Sequence, residues 1–267
     1  MSELPVELVQ EIVEFSARIH MRNDVRWVGQ SLAVACRAIY SLVAPILLET
    51  VYISTEEQIV EFYRFAAAAP ACLQHMRRLI VQDQADWPHV LWAEKASFPH
   101  TYAAQITTFA GRHNVLQTLV ESPDFHPRTA FLVGRLARRW SAFSSLTRVC
   151  LSNLEVIPGG IILVTLFPEL THLIILSLES DELSLFVGML SFPKLQRVLV
   201  SEMYPVRDRL IEELLRLQDE RIYYLPYKEL VPSPSSPLLT VADVARRERD
   251  GADVWNLGTC LSTLSRI

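Results

Sequence analysis

Leu170-Thr-His-Leu173-Ile-Ile175 is the clearest copy of a short pattern that decides the fold of this chain. The first, fourth and sixth residues are apolar, and the alternation over the last three positions predicts a short β-strand. The pattern returns in copies that begin at Leu48, Met76, Leu116, Leu146, Leu170, Leu195 and Glu220. The last three intervals are 24, 25 and 25 residues long, which is the period of a leucine-rich repeat.

Stretches with helical spacing lie between several of these copies. Residues 55–69, 129–140 and 205–218 each place apolar side chains on one face of a helix. In the first stretch, Thr55 and Gln58 have the spacing of a capping box. Short strands that alternate with helices predict an α/β solenoid in which parallel strands form one sheet.

The residues before the first copy have the pattern of three short helices. Pro5 suits the first turn of a helix, where its missing N–H costs nothing. The apolar residues of the first helix are spaced by four, three and four, and they are Leu8, Ile12, Phe15 and Ile19. A second helix is predicted around residues 31–36 and a third after Arg37, which Pro45 should kink or end. Three short helices bury little surface, so we expect them to pack on a partner or on the rest of the chain.

Three segments of this region resemble an F-box, namely Leu4-Pro-x-Glu-Leu8, Leu32…Cys36-Arg37 and Pro45…Leu48-x-x-Val51. Together with the repeats, they make the chain similar to F-box/leucine-rich-repeat proteins of the fungal type. The resemblance implies that the F-box docks on the adaptor subunit of a cullin–RING ubiquitin ligase while the repeats bind an unknown protein target. It also implies the side chains that contact the adaptor, which are Leu4, Pro5, Leu8, Ile12, Leu32 and Cys36.

The chain therefore divides into three predicted parts. Residues 1–50 form an F-box-like helical domain, and residues 51–230 form an irregular leucine-rich-repeat-like solenoid with a parallel sheet. Residues 231–267 form a linker followed by a C-terminal helix and tail. The linker is rich in proline and serine over residues 231–237, a composition that excludes a helix or a central strand.

The tail has its own helix signals. Thr240 and Asp243 predict a cap for a helix that runs to about Asp250, and Gly251 follows as its stop. Trp255 lies close behind, and an exposed tryptophan near a chain end is unusual, so we expect the tail to pack back on the solenoid.

Composition limits the classes of function. A net charge of -5 over 267 residues argues against a nucleic-acid-binding protein. The four cysteines, at positions 36, 72, 150 and 260, lie too far apart in sequence for a metal motif, and they fit a reducing compartment. No apolar run is long enough to span a membrane, and no leader pattern precedes the first helix. We therefore expect a cytosolic or nuclear protein that binds neither a membrane nor a cofactor.

The sequence also lacks the common catalytic motifs. It contains no G-x-S-x-G elbow, no G-x-x-x-x-G-K-[ST] loop and no H-E-x-x-H pair. Its histidines and carboxylate pairs are scattered over predicted strands and helix surfaces, where packing or solvation is the usual role. We therefore expect a binding protein rather than an enzyme.

The strand pattern predicts two rows of side chains on the concave face of the sheet, opposite the core. The residues between the second and third anchors are apolar, and they are Ile80, Val120, Cys150, Ile174, Leu199 and Tyr224. Two positions earlier stands a largely basic row of Arg78, Thr118, Arg148, His172, Arg197 and Ile222. An apolar stripe of this length needs a cover. The candidates are a target segment with acidic or phosphorylated residues, gripped by Arg148 and Arg197, and the chain's own tail, which its tether favours.

Two functions from different classes follow. The first is a substrate receptor, in which the F-box binds the ligase adaptor and the repeats bind the target. The alternative is an interaction scaffold outside any ligase, in which the N-terminal helices only cap the repeats. Exposure of Leu4, Pro5, Leu8 and Ile12 favours the first function, and burial of these residues against the repeats favours the second.

Overall fold

The structure of the chain is a computed structural model. It describes residues 5–23, 25–81, 103–120, 124–133, 143–152, 166–178, 183–201, 208–225 and 241–264. Leu4, Thr240 and the linker over 231–237 lie outside these ranges. So does the last part, 134–140, of the helix that is predicted over residues 129–140.

The described strands form one mixed sheet in which strand order follows chain order. The first eight strands run parallel, and the ninth pairs antiparallel with the eighth. The strands are β1 (Thr50–Ile53), β2 (Arg78–Val81), β3 (Thr108–Arg112), β4 (Thr129–Val133), β5 (Arg148–Leu151), β6 (His172–Ile175), β7 (Arg197–Ser201), β8 (Ile222–Leu225) and β9 (Thr259–Cys260).

The helices precede the sheet, connect its strands or follow it. They are α1 (Val6–Asn23), α2 (Val25–Trp27), α3 (Arg37–Glu49), α4 (Glu56–Ala68), α5 (His113–Val120), α6 (Leu183–Met189), α7 (Asp208–Arg216), α8 (Val241–Arg249) and α9 (Leu261–Leu264). A π-helical turn (Val28–Leu32) continues α2, and 3₁₀ turns lie at Pro70–His75 and Val254–Asn256. The described residues contain no helix that is long and apolar enough to cross a membrane.

The repeated pattern of apolar residues correctly predicts most of the strands. The copies that begin at Leu48, Met76, Leu146, Leu170 and Leu195 coincide with β1, β2, β5, β6 and β7. Their second and third anchors, such as Leu173 and Ile175 in β6, belong to the main hydrophobic core together with side chains of α4 to α7. One face of the sheet therefore packs on α4 to α7, as the alternation predicts.

The prediction of a strand at the copy that begins at Leu116 is wrong, because these residues belong to α5. Leu116 and Leu119 are buried beside Val115, and a spacing of three residues fits a helix face as well as the first half of the strand pattern. The strand of this repeat is β3, which the pattern misses because Gly111 stands where an apolar anchor is expected. At Gly111, whose φ is 155°, a Cβ atom would lie 3.1 Å from the Val81 carbonyl oxygen, so the backbone conformation and the close approach of β2 both disfavour a larger residue.

The prediction of a helix over residues 129–140 is also wrong for its first five residues. Thr129–Val133 is strand β4, paired on both sides with β3 and β5. Its residues Thr-Ala-Phe-Leu-Val are mostly β-branched or aromatic, which favours a strand. A run of apolar residues without polar alternation is typical of a strand buried on both faces, and helical spacing hid that signal.

The last copy is a strand with the opposite register. Ile222 of β8 pairs with Val198, and Ile222 and Tyr224 pack with the main core. Tyr223 and Leu225 therefore face the other side of the sheet. The pattern places Tyr224 on that side because it takes Glu220 as an anchor, and a slip of one residue exchanges the faces of a strand.

The helices predicted in the stretches 55–69 and 205–218 are confirmed where the structure describes them. α4 begins after Thr55, whose side-chain oxygen accepts the Gln58 backbone N–H at 3.3 Å. The Gln58 side chain in turn accepts the Ser54 backbone N–H at 2.7 Å. α7 lies within the stretch 205–218, and Leu214 anchors it in the main core.

The N-terminal helices have a small core of their own, formed by Val13, Ala17, Val28, Ala33, Val43 and Ile46. The second helical segment lies before the predicted residues 31–36, as α2 and the π-helical turn that follows it. In this turn the Ala33 N–H donates to the Val28 carbonyl, a spacing of five residues that ordinary helical periodicity does not predict. Pro45 does not end α3, which continues to Glu49 and passes directly into β1. Glu49 also pairs with Arg18 at 3.5 Å and with Arg78 at 2.6 Å, which ties α1 and β2 to the end of α3.

Candidate functional site

The first candidate surface is an apolar row on α1, which we call the α1 stripe. It consists of Leu8, Ile12, Phe15 and Ile19, whose side chains are 45%, 55%, 67% and 42% exposed. Their spacing places all four on one face of the helix. The opposite face contributes Val13 and Ala17 to the small helical core. The helix thus points its larger apolar side chains outward and its smaller ones inward.

This arrangement is unusual for a helix that serves only to pack. An amphipathic helix normally buries its apolar row and exposes its polar row. Exposed apolar patches on soluble proteins mark sites where another molecule binds. The α1 stripe can therefore act as one half of a protein interface, and it needs no chemistry beyond apolar contact.

The other residues expected to contact the adaptor lie in different environments. Pro5 is exposed at the start of α1, where its carbonyl accepts the N–H of Leu8 at 3.1 Å. Cys36 is exposed at the cap position before α3. Leu32 is only partly exposed and packs against the small helical core. Leu4 lies outside the described residues.

Sequence reasoning missed two members of the α1 stripe as binding residues. Phe15 and Ile19 extend the exposed row by two turns beyond Ile12. Their signal was present in the spacing that joins them to Leu8. Spacing alone does not tell whether such a row faces a core or the solvent, so it did not identify them as part of a surface.

The second candidate surface is an apolar row across the sheet, which we call the sheet stripe. It consists of one buried residue from each of β2 to β7, namely Ile80, Ala110, Phe131, Cys150, Ile174 and Leu199. The strand register makes each of them the direct neighbour of the next. Tyr223 continues the row on β8, in place of Tyr224. Ala110 and Phe131 occupy the place that the sequence analysis gives to Val120, which belongs to α5.

The chain's own tail lies on the sheet stripe. Val241, Val244 and Ala245 of α8 and Val254 and Trp255 of the following turn are buried in one cluster with the stripe. The ring of Trp255 lies 5.5 Å from that of Phe131, measured between centroids. Of the two covers considered from the sequence, the structure therefore places the tail on this face.

A reversal of the chain after α8 brings Trp255 onto the stripe. Gly251 has a positive φ of 89°, the Ala252 N–H donates to the Arg247 carbonyl at 2.9 Å, and the Gly251 N–H donates to the Glu248 carbonyl at 3.0 Å. These two bonds form a Schellman motif, for which glycine is the preferred residue. The Trp255 indole N–H then donates to the Glu248 carboxylate at 3.1 Å, which fixes the ring against the end of its own helix.

The tail ends against the last parallel strand. Gly258 has a φ of 89°, and a Cβ atom there would lie 2.7 Å from Leu199 Cδ1 and 2.8 Å from the Tyr224 carbonyl oxygen. Only glycine fits this approach without a shift of the backbone. Directly afterwards, β9 pairs with β8. The tail therefore covers the stripe and also closes one edge of the sheet.

A basic row borders the sheet stripe. Arg148, His172 and Arg197 are direct neighbours on β5, β6 and β7, and we call these three residues the basic row. Arg78 lies on the same face but is separated from Arg148 by Thr108 and Thr129, and it pairs with Glu49. Thr118 and Ile222 are not part of the row, because Thr118 lies in α5 and Ile222 faces the main core.

Two arginines of the basic row touch the tail. Arg197 donates through Nη2 to the Leu257 carbonyl oxygen at 2.7 Å, and its guanidinium carbon lies 3.2 Å from the centroid of the Tyr223 ring. The Arg148 guanidinium carbon lies 5.8 Å from the centroid of the Trp255 ring. The cation–π contact of Arg148 with Trp255 and the hydrogen bond of Arg197 to Leu257 hold the tail in place without a carboxylate.

The protonation states on this face follow from burial. Burial lowers the pKa of His172, and the positive charges of Arg148 and Arg197 lower it further, so the neutral imidazole is favoured. Burial raises the pKa of the Cys150 thiol, and the nearby Glu248 carboxylate raises it further. Cys150 is therefore a packing residue, since a reactive cysteine needs a lowered pKa.

The described residues form two candidate binding surfaces, the α1 stripe and the sheet stripe with its basic row. Within the described ranges, no group of three His, Cys, Asp or Glu side chains is arranged to hold a metal ion. Searches against family models, curated proteins and solved structures find no match to this chain. Its function therefore has to be inferred from its own two surfaces.

Proposed function

We propose that the chain is the substrate-recognition subunit of a cullin–RING ubiquitin ligase, in which the α1 stripe docks on the adaptor subunit and the repeats select a target. The observation that carries this proposal is the exposure of the α1 stripe. Its four apolar side chains face outward from a helix that has its own small core. A docking helix has this arrangement before its partner binds.

Several of the exposed residues are among those that the F-box resemblance assigns to the adaptor. Pro5, Leu8 and Ile12 are all exposed, which is the condition that favours a docking domain over a cap. The sequence segments and the exposure are independent observations, because one concerns residue identity and the other concerns packing.

The repeated strands support the receptor half of the proposal. Eight parallel strands follow each other in chain order, and the later ones recur at the period of leucine-rich repeats. Such stacked repeats offer a long surface that is well suited to another protein. In this proposal the protein works in the cytosol or nucleus and acts by binding, with no catalytic residues of its own.

The alternative is a scaffold that joins no ligase. It is favoured by the direct passage of α3 into β1 and by the ion pairs of Glu49 with Arg18 and Arg78. These contacts make the helices a cap on the first edge of the sheet. A cap leaves the α1 stripe without a role, however, so the receptor function accounts for more of the structure.

Binding of the purified adaptor to the full chain tests the proposal. Because apolar residues at the centre of an interface each contribute about 2 kcal/mol or more, Leu8→Ser with Ile12→Ser should abolish measurable binding. The free energy of unfolding should change by less than about 0.5 kcal/mol, since exposed side chains contribute little to stability.

Val187→Ser is the matched control, because Val187 is an exposed apolar residue on α6. This variant should bind the adaptor like the unsubstituted chain. A folded full chain that does not bind the adaptor, or a double variant that still binds it, would contradict the receptor function and leave the scaffold.

A further inference from the structure

The tail neutralises little of the charge on the face that it covers. Its carboxylates bond within the tail, where Asp243 pairs with Arg246 and Asp250 pairs with Arg249. Glu248 accepts the Trp255 indole N–H, and Asp253 accepts the side-chain amide of Asn256 at 2.7 Å. Among the described residues, no carboxylate forms an ion pair with Arg148 or Arg197.

The basic row keeps unused capacity to bind an anion. Arg197 bonds only a neutral carbonyl of the tail, and within the described part of the chain its Nε is buried without a hydrogen-bond partner. A buried donor without a partner costs free energy, and a guanidinium matches a carboxylate or phosphate with two parallel bonds. The neutral His172 lies between the two arginines, so Arg148 and Arg197 supply the positive charge beside the sheet stripe.

From this mismatch we infer that the sheet stripe and basic row form a binding site for an acidic or phosphorylated peptide segment of the target, which displaces the tail. The inference rests on the proposed function only in calling the ligand a ligase target. It deepens that function by naming the chemistry of the target.

The bound tail shows what such a segment needs. An aromatic side chain takes the place of Trp255 between Phe131 and Arg148, where both contacts require a large flat ring. A carboxylate or phosphate within two residues of this ring reaches the site where Arg197 now bonds the Leu257 carbonyl. A glycine follows at the position of Gly258, because a side chain there meets Leu199 and the β8 backbone.

The anion of the target segment is what allows this segment to displace the tail. The tail is part of the same chain, so it competes at a high effective concentration. A target segment must therefore bind more tightly than the tail, and the unpaired arginines supply the additional interaction. Charge-assisted hydrogen bonds are about twice as strong as neutral ones.

The test uses the full chain with Trp255→Ala, which weakens the tail, and a labelled peptide with the sequence of residues 241–259. All three peptides carry alanine at position 253, because the Asp253 carboxylate accepts the Asn256 side-chain amide at 2.7 Å and would repel an anion at position 256. They differ from each other only at position 256, which is exposed in the bound tail. They carry asparagine, aspartate or phosphoserine there. We expect the asparagine peptide to bind the variant about ten-fold more tightly than it binds the unsubstituted chain, because the intact tail occupies the site.

Each anionic peptide should bind about ten-fold more tightly again, since one good charge-assisted pair has roughly this effect. Arg148→Gln with Arg197→Gln in the same receptor should lower the affinity of all three peptides, because both arginines contact the bound tail. It should also remove the gain of the anionic peptides over the asparagine peptide. Equal affinities of the three peptides for a folded receptor would overturn the inference, and so would a gain that survives the loss of both arginines.

Two further arms keep the result interpretable. If the chain with Trp255→Ala does not fold, Leu257→Ala replaces it as the weakened tail, since Leu257 is only partly buried against the cluster. The peptide assay contains no adaptor, so loss of peptide binding with intact adaptor binding overturns only this inference. Loss of adaptor binding with intact peptide binding overturns only the proposed function.

Discussion

The α1 stripe and the sheet stripe are both apolar, but the α1 stripe is exposed and the sheet stripe is buried. Each is a row of apolar side chains that regular secondary structure places on one face. Phe15 in the α1 stripe is 67% exposed, whereas Phe131 in the sheet stripe is 0% exposed. The difference is that the chain supplies a cover for one row, its tail, and none among the described residues for the other.

The comparison shows why an apolar row does not by itself define a core. The inward face of α1 carries Val13 and Ala17, whose small size lets α1 approach α3 closely, so the larger residues are left outside. On the face of the sheet away from α4 to α7, the apolar residues cannot turn to another side, because alternate residues of every strand must point to that face. Its apolar row must be covered by whatever the chain or a partner provides.

Deleting residues 238–267 should have the largest effect, because it turns the sheet stripe into a second open row. Full burial of one large apolar side chain contributes about 1.5–3 kcal/mol, so the loss should reach several kcal/mol in the free energy of unfolding. We expect strong binding of a hydrophobic dye and aggregation of the shortened chain. A soluble, dye-negative product of unchanged stability would mean that the tail does not cover the stripe.

Gly258→Ala should have an intermediate effect, because it acts at one point of the cover. The positive φ and the close contacts with Leu199 and the Tyr224 carbonyl both oppose a side chain. We expect a loss of about 2 kcal/mol in the free energy of unfolding, measured by chemical denaturation.

Gly29→Ala is the matched control for this substitution. Nothing lies within 4 Å of the position that a Cβ atom would take at Gly29. Alanine is also favoured over glycine in a helical segment, so this variant should be as stable as the unsubstituted chain or slightly more stable. Equal losses for the two variants would show that the tail does not pack closely at Gly258.

The smallest effect concerns the pH dependence of the covered face. The pKa of His172 is lowered in the folded chain by burial and by Arg148 and Arg197, with Asp253 acting in the opposite direction. The unfolded chain therefore takes up a proton first as the pH falls. The contribution of His172 is fully present above about pH 6.5, the ordinary value, and it is lost progressively below it until the lowered pKa of the folded state is reached.

His172→Gln should therefore reduce the loss of stability between about pH 7.5 and about pH 5.5. The Thr171 hydroxyl, which lies 2.9 Å from His172 Nδ1, remains in both proteins. Unfolding curves of the two chains at both pH values measure the difference. An identical pH dependence would show that His172 is not held in its neutral form by the covered face.

Much of the sheet follows from the sequence because a strand needs only local alternation. The copies at Met76, Leu146, Leu170 and Leu195 carry all three anchors, and each is a strand. The copy at Leu116 lacks the third anchor, and a spacing of three residues is common to both kinds of structure. The pattern does not predict β3, because Gly111 stands at the position of its third apolar residue. It does not predict β4, because the run Thr-Ala-Phe-Leu-Val lacks the spacing of the three apolar residues.

The surfaces are predicted less completely, because exposure depends on contacts between distant parts of the chain. The apolar row through Ile80, Cys150, Ile174 and Leu199 follows from alternation alone. The reversed register of β8 does not, because Glu220 gives no apolar anchor to fix it. The direction in which α1 faces depends on its packing with α3, and no local pattern carries that information.

Oxidative footprinting of the intact chain tests the contrast between the two stripes most directly, because each stripe contains one phenylalanine. Hydroxyl radicals modify exposed aromatic side chains, so mass spectrometry of the digested protein reports on Phe15 and Phe131 in a single sample. We expect rapid modification of Phe15, which is 67% exposed, and protection of Phe131, which is buried. Modification of Phe131 at a rate close to that of Phe15 would contradict this expectation, and so would protection of both residues in the isolated chain.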